Sequence, residues 1–93
     1  YFYNGGEEII YTGSADLMPR NLNVRVEVLF PIDSPRMIRY VRDEILEYLL
    51  NDNAKGRDMQ PDGTYLHRCP AESESVRCTQ EIFVSRARAQ SEQ

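Results

Sequence analysis

The sequence predicts an α/β chain, more narrowly an α+β two-layer piece in which a β-hairpin and a third strand pack on one long amphipathic helix. Three observations carry that reading. Tyr1 to Tyr3 and Glu8 to Thr12 are strand-prone and flank the turn signal Asn4-Gly5-Gly6. Val24 to Phe30 alternates, with Val24, Val26, Val28 and Phe30 on one face and Arg25, Glu27 and Leu29 on the other. Ile38, Val41, Ile45 and Leu49 then recur at spacings of three and four, a helical stripe that Met37, Leu46 and Leu50 widen.

Each element has a local cause. Asn and Gly tolerate positive φ, so residues 4–6 close the first hairpin. Gly13 to Leu22 reads as a loop broken by Pro19, in which Asp16-Leu17-Met18 closes at most one helical turn. Pro31 ends the third strand because it has no amide proton to give. The three-stranded region is thus expected over residues 1–32. Asp33-Ser34-Pro35 supplies an oxygen-bearing cap followed by proline in the first turn, so a helix is expected over 34–51, ended by Asn51-Asp52-Asn53. Its other side, Arg36, Arg39, Asp43 and Glu47, reads as a solvated face. Lys55 to Gln60 has no clear pattern, Pro61-Asp62-Gly63 is a turn, and Thr64 to Arg68 is a short strand. Residues 69–75 form a polar loop. Val76 to Ala89 has helical character anchored by Ile82 and Phe83, and residues 90–93 form a tail.

The chain has 93 residues, 41% hydrophobic and 28% charged, which is the composition of a folded protein and not of a disordered one. The reading is a single partial domain over 1–93: a chain this short covers only about 60–65% of its unfolded surface. Tyr1 also starts mid-strand, as in a piece of a longer protein. The net charge of −4 excludes a general nucleic-acid binder. No apolar run reaches the about 20 residues of a membrane span. Two cysteines, Cys69 and Cys78, are too few for a disulfide framework and read as free thiols. With His67 they lack the close ligand pairs of a zinc site, and no metal ligand set is expected.

The chemistry suggested by the residues is phosphate binding. Arginine presents a planar fork of N–H groups that fits phosphate oxygens two at a time. Arg20 in the loop and Arg25 on the polar strand face converge on one pocket, and Ser14 beside Gly13 adds neutral donors. Asp16 orients a neighbouring cation better than it touches phosphate. Structural roles compete with each of these. Arg25 could pair with Glu27 on its own face, Asp16 could cap the Leu17 turn, and Asn21 could hold the loop. There is no Walker-type phosphate loop, and the one histidine, His67, is far along the chain from Ser14, so no catalytic set is complete.

Several blocks carry a resemblance. Phe2-Tyr3-Asn4-Gly5-Gly6-Glu7-Glu8, Ile10-Tyr11-Thr12-Gly13-Ser14-Ala15-Asp16-Leu17-Met18-Pro19-Arg20-Asn21-Leu22 and Arg25-Val26-Glu27-Val28-Leu29-Phe30-Pro31-Ile32 are the first three. Asp43-Glu44-Ile45-Leu46, Leu49-Leu50-Asn51-Asp52-Asn53 and Gln60-Pro61-Asp62-Gly63-Thr64-Tyr65 follow. Together they resemble the C-terminal domain of bacterial polyphosphate kinases, closely over positions 1 to 68 and loosely beyond Cys69.

The resemblance implies a cytoplasmic phosphotransferase, with room for peripheral association at the inner membrane. Such an enzyme moves the terminal phosphate of ATP reversibly onto polyphosphate, with magnesium and through a phosphohistidine. It also implies a phospholipase D-like half-domain, in which Gly13-Ser14-Ala15-Asp16 corresponds to a Gly-Ser-x-Asn element with Asp16 in place of Asn. Leu17 departs from the tryptophan common in the kinases. The family histidine for this half lies in a His-x-Arg stretch that would fall before Tyr1, and the phosphohistidine belongs to another domain. The chain alone is therefore expected to be inactive, with neither ATP nor magnesium bound and no catalytic residue of its own. Arg25 matches a family arginine near the nucleotide phosphates and leads Arg20, Ser14 and Asp16 as phosphate and nucleotide contacts. Expected partners are ATP, polyphosphate, the rest of a kinase chain and further copies of the parent. The alternative is a non-catalytic oligomerisation or interaction module on the same scaffold. A phospholipase D-like phosphodiesterase would need a His-x-Lys motif, which this chain does not show.

Overall fold

The structure is a computed structural model that describes the backbone of residues 1–93 and all side chains except those of residues 21 and 22. It mixes short helices with two small antiparallel sheets, as an α+β chain should. Where one partial domain is expected, the residues cluster into two compact units, Tyr1–Glu44 and Ile45–Gln93.

In the first unit, Phe2 and Ile9 exchange backbone hydrogen bonds of 2.8 and 3.0 Å around a 3-10 turn at Asn4–Gly6. Asn4, Gly5 and Gly6 all have positive φ, which explains the residue types at that turn. The pairing stops at this single bridge. Strand β1 (Tyr11–Gly13) pairs with β2 (Leu29–Pro31), Thr12 opposite Phe30. The expected three-stranded region over 1–32 is therefore a two-stranded sheet plus one bridge.

The expected strand Val24–Phe30 is shortened to its last residues, and Pro19 is the reason. The residue before a proline is pushed to extended backbone, and proline suits the first turn of a helix. Met18 is extended and a short helix, α1 (Pro19–Asn23), starts at Pro19. The turn expected at Asp16–Met18 thus lies a few residues later. The Arg20 carbonyl then accepts both the Val24 and Arg25 amides, at 3.1 and 3.0 Å. Those amides cannot also enter a ladder. The expected valine face consequently covers nothing, and Val26 is 97% exposed.

Helical residues run from Pro35 to Leu50 in three stretches: α2 (Pro35–Tyr40), a π-helical stretch (Val41–Leu46) and α3 (Glu47–Leu50). Ser34 caps the start, its side chain accepting from the Met37 amide. Ile38, Val41 and Ile45 of the stripe are half-buried, whereas Met37, Leu49 and Leu50 are exposed.

The second unit adds β3 (Arg57–Met59) paired with β4 (Tyr65–His67), and α4 (Thr79–Ser91). Asp62 accepts from the Thr64 amide and hydroxyl at the turn between the strands, and Gly63 takes positive φ. Ile82 and Phe83 are half-buried, and Phe83 lies 6.3 Å from the Tyr48 ring. Helix α4 continues to Ser91, into the segment expected as a tail.

The second unit is pinned by a polar knot. Asp52, 7% exposed, accepts at Oδ1 from the amides of Ala54, Lys55 and Gly56 (2.9, 2.6 and 3.2 Å) and at Oδ2 from Thr79 (2.8 Å). Asn53 donates to the Ser75 carbonyl and accepts from the Arg77 amide. Arg68 forks onto Asp58 and donates to the Leu50 carbonyl. Among the described residues the only buried apolar side chains are Ile10 and Cys78.

Candidate functional site

The segment from Gly13 to Val28 holds every residue predicted to contact phosphate, and all of it lies in the first unit. Gly13 is required by sterics. A Cβ there would fall 2.1 Å from the Val28 carbonyl oxygen and 3.0 Å from Leu29 Cα. Only glycine lets β1 approach β2 this closely at the start of the bend.

Ser14 continues the contact. Its amide donates to the Val28 carbonyl at 3.2 Å, and its Oγ accepts from the Val28 amide at 3.4 Å. The Ser14 hydroxyl also donates to Glu27 Oε2. The hydroxyl expected to face phosphate is therefore given to a carboxylate. Asp16 Oδ1 accepts from the Met18 amide at 2.9 Å, the capping role weighed against a functional one. Asn21 lies outside the described side chains.

Arg25 is not strand-borne. It follows α1 in an exposed bend, and its amide ties it to the Arg20 carbonyl. Arg20 and Arg25 are thus joined by one backbone bond. Both side chains are exposed, and neither has a hydrogen bond or ion pair among the described residues. The structure brings Arg20 to Arg25 and Ser14 to Glu27. No hydrogen bond links Ser14 to either guanidinium among the described residues. Glu27, half-buried, is the residue whose part was missed. Its alternation with Arg25 suggested an ion pair, and the shortened strand removes that geometry.

Outside this segment, Cys69 is an exposed free thiol and Cys78 a buried one. His67 is exposed in β4, across from Arg57. Among the described residues no three metal-ligating side chains converge. Within the Gly13–Val28 segment, Glu27 accepts from Ser14 and Asp16 from the Met18 amide. Without a third converging ligand among the described residues, they do not fit a magnesium site. No helix among the described residues is long and apolar enough to cross a membrane.

Residues 1–80 match the family model for the polyphosphate kinase C-terminal domain 2. The chain belongs to the polyphosphate kinase family. It is 48% identical over 90 residues to a polyphosphate kinase of Synechocystis, covering 97% of this chain and 12% of that one. It is 54% identical over 65 residues to a polyphosphate kinase of Prosthecochloris aestuarii (70% of this chain, 9% of the relative). Over 86 residues it is 43% identical to that of Pseudomonas putida (92% and 12%). The chain therefore spans only 9–12% of the length of these polyphosphate kinases. No solved structure matches the chain. The matched span contains the whole Gly13–Val28 segment, so that segment is common ground with the polyphosphate kinases.

Proposed function

We propose that this chain supplies phosphate contacts within a polyphosphate kinase that moves the terminal phosphate of ATP reversibly onto polyphosphate. In the forward direction the bond between the γ-phosphorus and the ADP oxygen breaks as a bond to a histidine nitrogen forms. A terminal polyphosphate oxygen then takes the phosphoryl group from that nitrogen. Phosphoryl transfer depends on alignment and charge stabilisation more than on covalent help from the protein. Arg25, seconded by Arg20, provides that stabilisation as a planar donor fork. Ser14 and Asp16 shape the bend that carries them, and the scaffold is a phospholipase D-like half-domain.

The observation that supports this reading is the pair of exposed arginines, Arg20 and Arg25, whose backbones are joined by the Arg25 amide on the Arg20 carbonyl, inside the span matched by the polyphosphate kinase domain. The test is kinetic. In a full-length polyphosphate kinase carrying this sequence, Arg25→Ala should cut kcat/KM for ATP about 100-fold, as loss of a transition-state donor does. Its melting temperature should stay within a few degrees of the parent. In the same assay the 93-residue chain should make no polyphosphate. Unchanged kinetics in the variant would refute the reading.

The runner-up is an assembly module. Tyr11, Leu29 and Phe30 are exposed on the β1–β2 sheet, and an uncovered sheet can pair with another chain. Concentration-dependent association, together with wild-type kinetics in Arg25→Ala, would favour it.

A further inference from the structure

Arg42 sits in the π-helical stretch, and such stretches occur often at functional sites. On a regular helix adjacent side chains diverge. Here Arg42 nevertheless forks onto its neighbour Asp43, Nε to Oδ1 at 2.7 Å and Nη2 to Oδ2 at 2.9 Å. The remaining nitrogen, Nη1, reaches Glu8 Oε1 at 2.5 Å across thirty-four positions of sequence. The other Glu8 oxygen accepts from the Tyr1 hydroxyl, also at 2.5 Å. The Glu8 side chain is only 20% exposed and that of Arg42 33%, so this pair is better shielded than an ordinary surface ion pair.

What the pair holds is the strand that leads to the candidate site. After Glu8, Ile9 bridges to Phe2. Ile10 is 4% exposed and its carbonyl accepts from the Ile32 amide at 2.8 Å. Tyr11 to Gly13 pair with β2, and Gly13 has no room for a side chain against Val28. A paired, extended segment has little slack. Fixing Glu8 therefore fixes the height of Gly13 and Ser14 along β2. We propose that Arg42 is a positioning residue: by gripping Glu8 from the helix it sets the register of the Gly13–Ser14 bend that presents the phosphate-contact segment. Tyr1 and Arg42 both hold the Glu8 carboxyl below the usual carboxylate range, the hydrogen bond from Tyr1 having the larger effect. The fork to Asp43, then the bond to Glu8, pushes the Arg42 guanidinium further up. Both groups are thus charged throughout the physiological range.

The inference rests on the phosphate reading only for its consequence, and the experiment separates the two. The 15N-labelled 93-residue chain is compared as wild type, Arg42→Met, Arg42→Lys, Glu8→Gln and the double variant Arg42→Met with Glu8→Gln. Without ligand, Arg42→Met and Glu8→Gln should move the Gly13 and Ser14 amide resonances and speed exchange of the Ser14 and Ile32 amides. The α4 resonances should stay in place. Arg42→Lys, which retains a cation for Glu8, should restore the Gly13 and Ser14 positions. With tripolyphosphate as the probe, Arg42→Met should weaken binding about fivefold, and the double variant should be no worse than the weaker single, as for residues acting as a unit. Wild-type Gly13 and Ser14 resonances in Arg42→Met, or additive losses in the double variant, overturn the proposal. If Arg42→Met does not fold, Glu8→Gln decides it by the same resonances. Wild-type tripolyphosphate binding by Arg25→Ala would sink the phosphate reading alone, because the ligand-free resonances still report on Arg42.

Discussion

Gly13 is where a single residue decides the most. Its missing side chain is the condition for β1 to lie against the Val28 carbonyl, and the neighbouring Ser14 amide bonds to that same oxygen. Gly13→Ala should break the β1–β2 pairing and destabilise the chain by about 1–3 kcal/mol, the usual range for overpacking against atoms that cannot yield. A denaturant melt measures the loss, and fast exchange of the Ser14 amide locates it. An unchanged midpoint would mean that the two strands do not meet in solution. The sequence made the Gly13-Ser14 bend visible, because a small pair before a proline-broken loop has few other uses. It did not reveal that Ser14 would donate to Glu27. That contact spans thirteen positions and depends on how far the second strand extends, which alternation overestimated.

Among the elements, Asp52 governs the second unit. Its carboxylate gathers three successive amides after α3 and the Thr79 amide at the start of α4. The backbone donor of Lys55, then that of Thr79, holds it well below the usual carboxylate range. A depressed carboxylate contributes stability in full above its unfolded value of about 4, and that stability is lost as the pH falls through the lower native value. Acidification below about pH 4 should therefore release the Ala54, Lys55, Gly56 and Thr79 amides, with no comparable change between pH 5 and 8. Asp52→Asn should lower the melting temperature by roughly 10 °C. Unaltered protection of those four amides in Asp52→Asn would contradict the role.

The helix from Pro35 was legible because Ser34, Pro35 and the apolar spacing agree with one another. The Val24–Phe30 strand was misread because Pro19 has two meanings. It breaks a loop and it also opens a helix, and α1 then consumes the amides of Val24 and Arg25. Asn51-Asp52-Asn53 was legible as a helix end. Its hub role was not, since the Thr79 amide that completes it lies twenty-seven positions away.

At the scale of the whole molecule, apolar burial is sparse among the described residues. Leu17, Val24, Val26 and Leu50 are all exposed, and the described interior relies on Ile10, Cys78 and hydrogen-bonded polar groups. Composition alone cannot reveal this, because an ordinary hydrophobic fraction does not say which side chains find cover. The family was legible in the order of its blocks, and the match over residues 1–80 places the chain among the polyphosphate kinases. The proposed phosphate contacts rest on Arg25 and Arg20, with the Gly13-Ser14 bend in the same segment of the first unit. The most direct measurement is a tripolyphosphate titration of the 15N-labelled chain, in wild type and in Arg25→Ala. The account predicts saturable shifts at the Gly13, Ser14, Arg20 and Arg25 amides of the wild type and their loss in the variant. Shifts confined to the second unit, or identical curves for the two proteins, would contradict it.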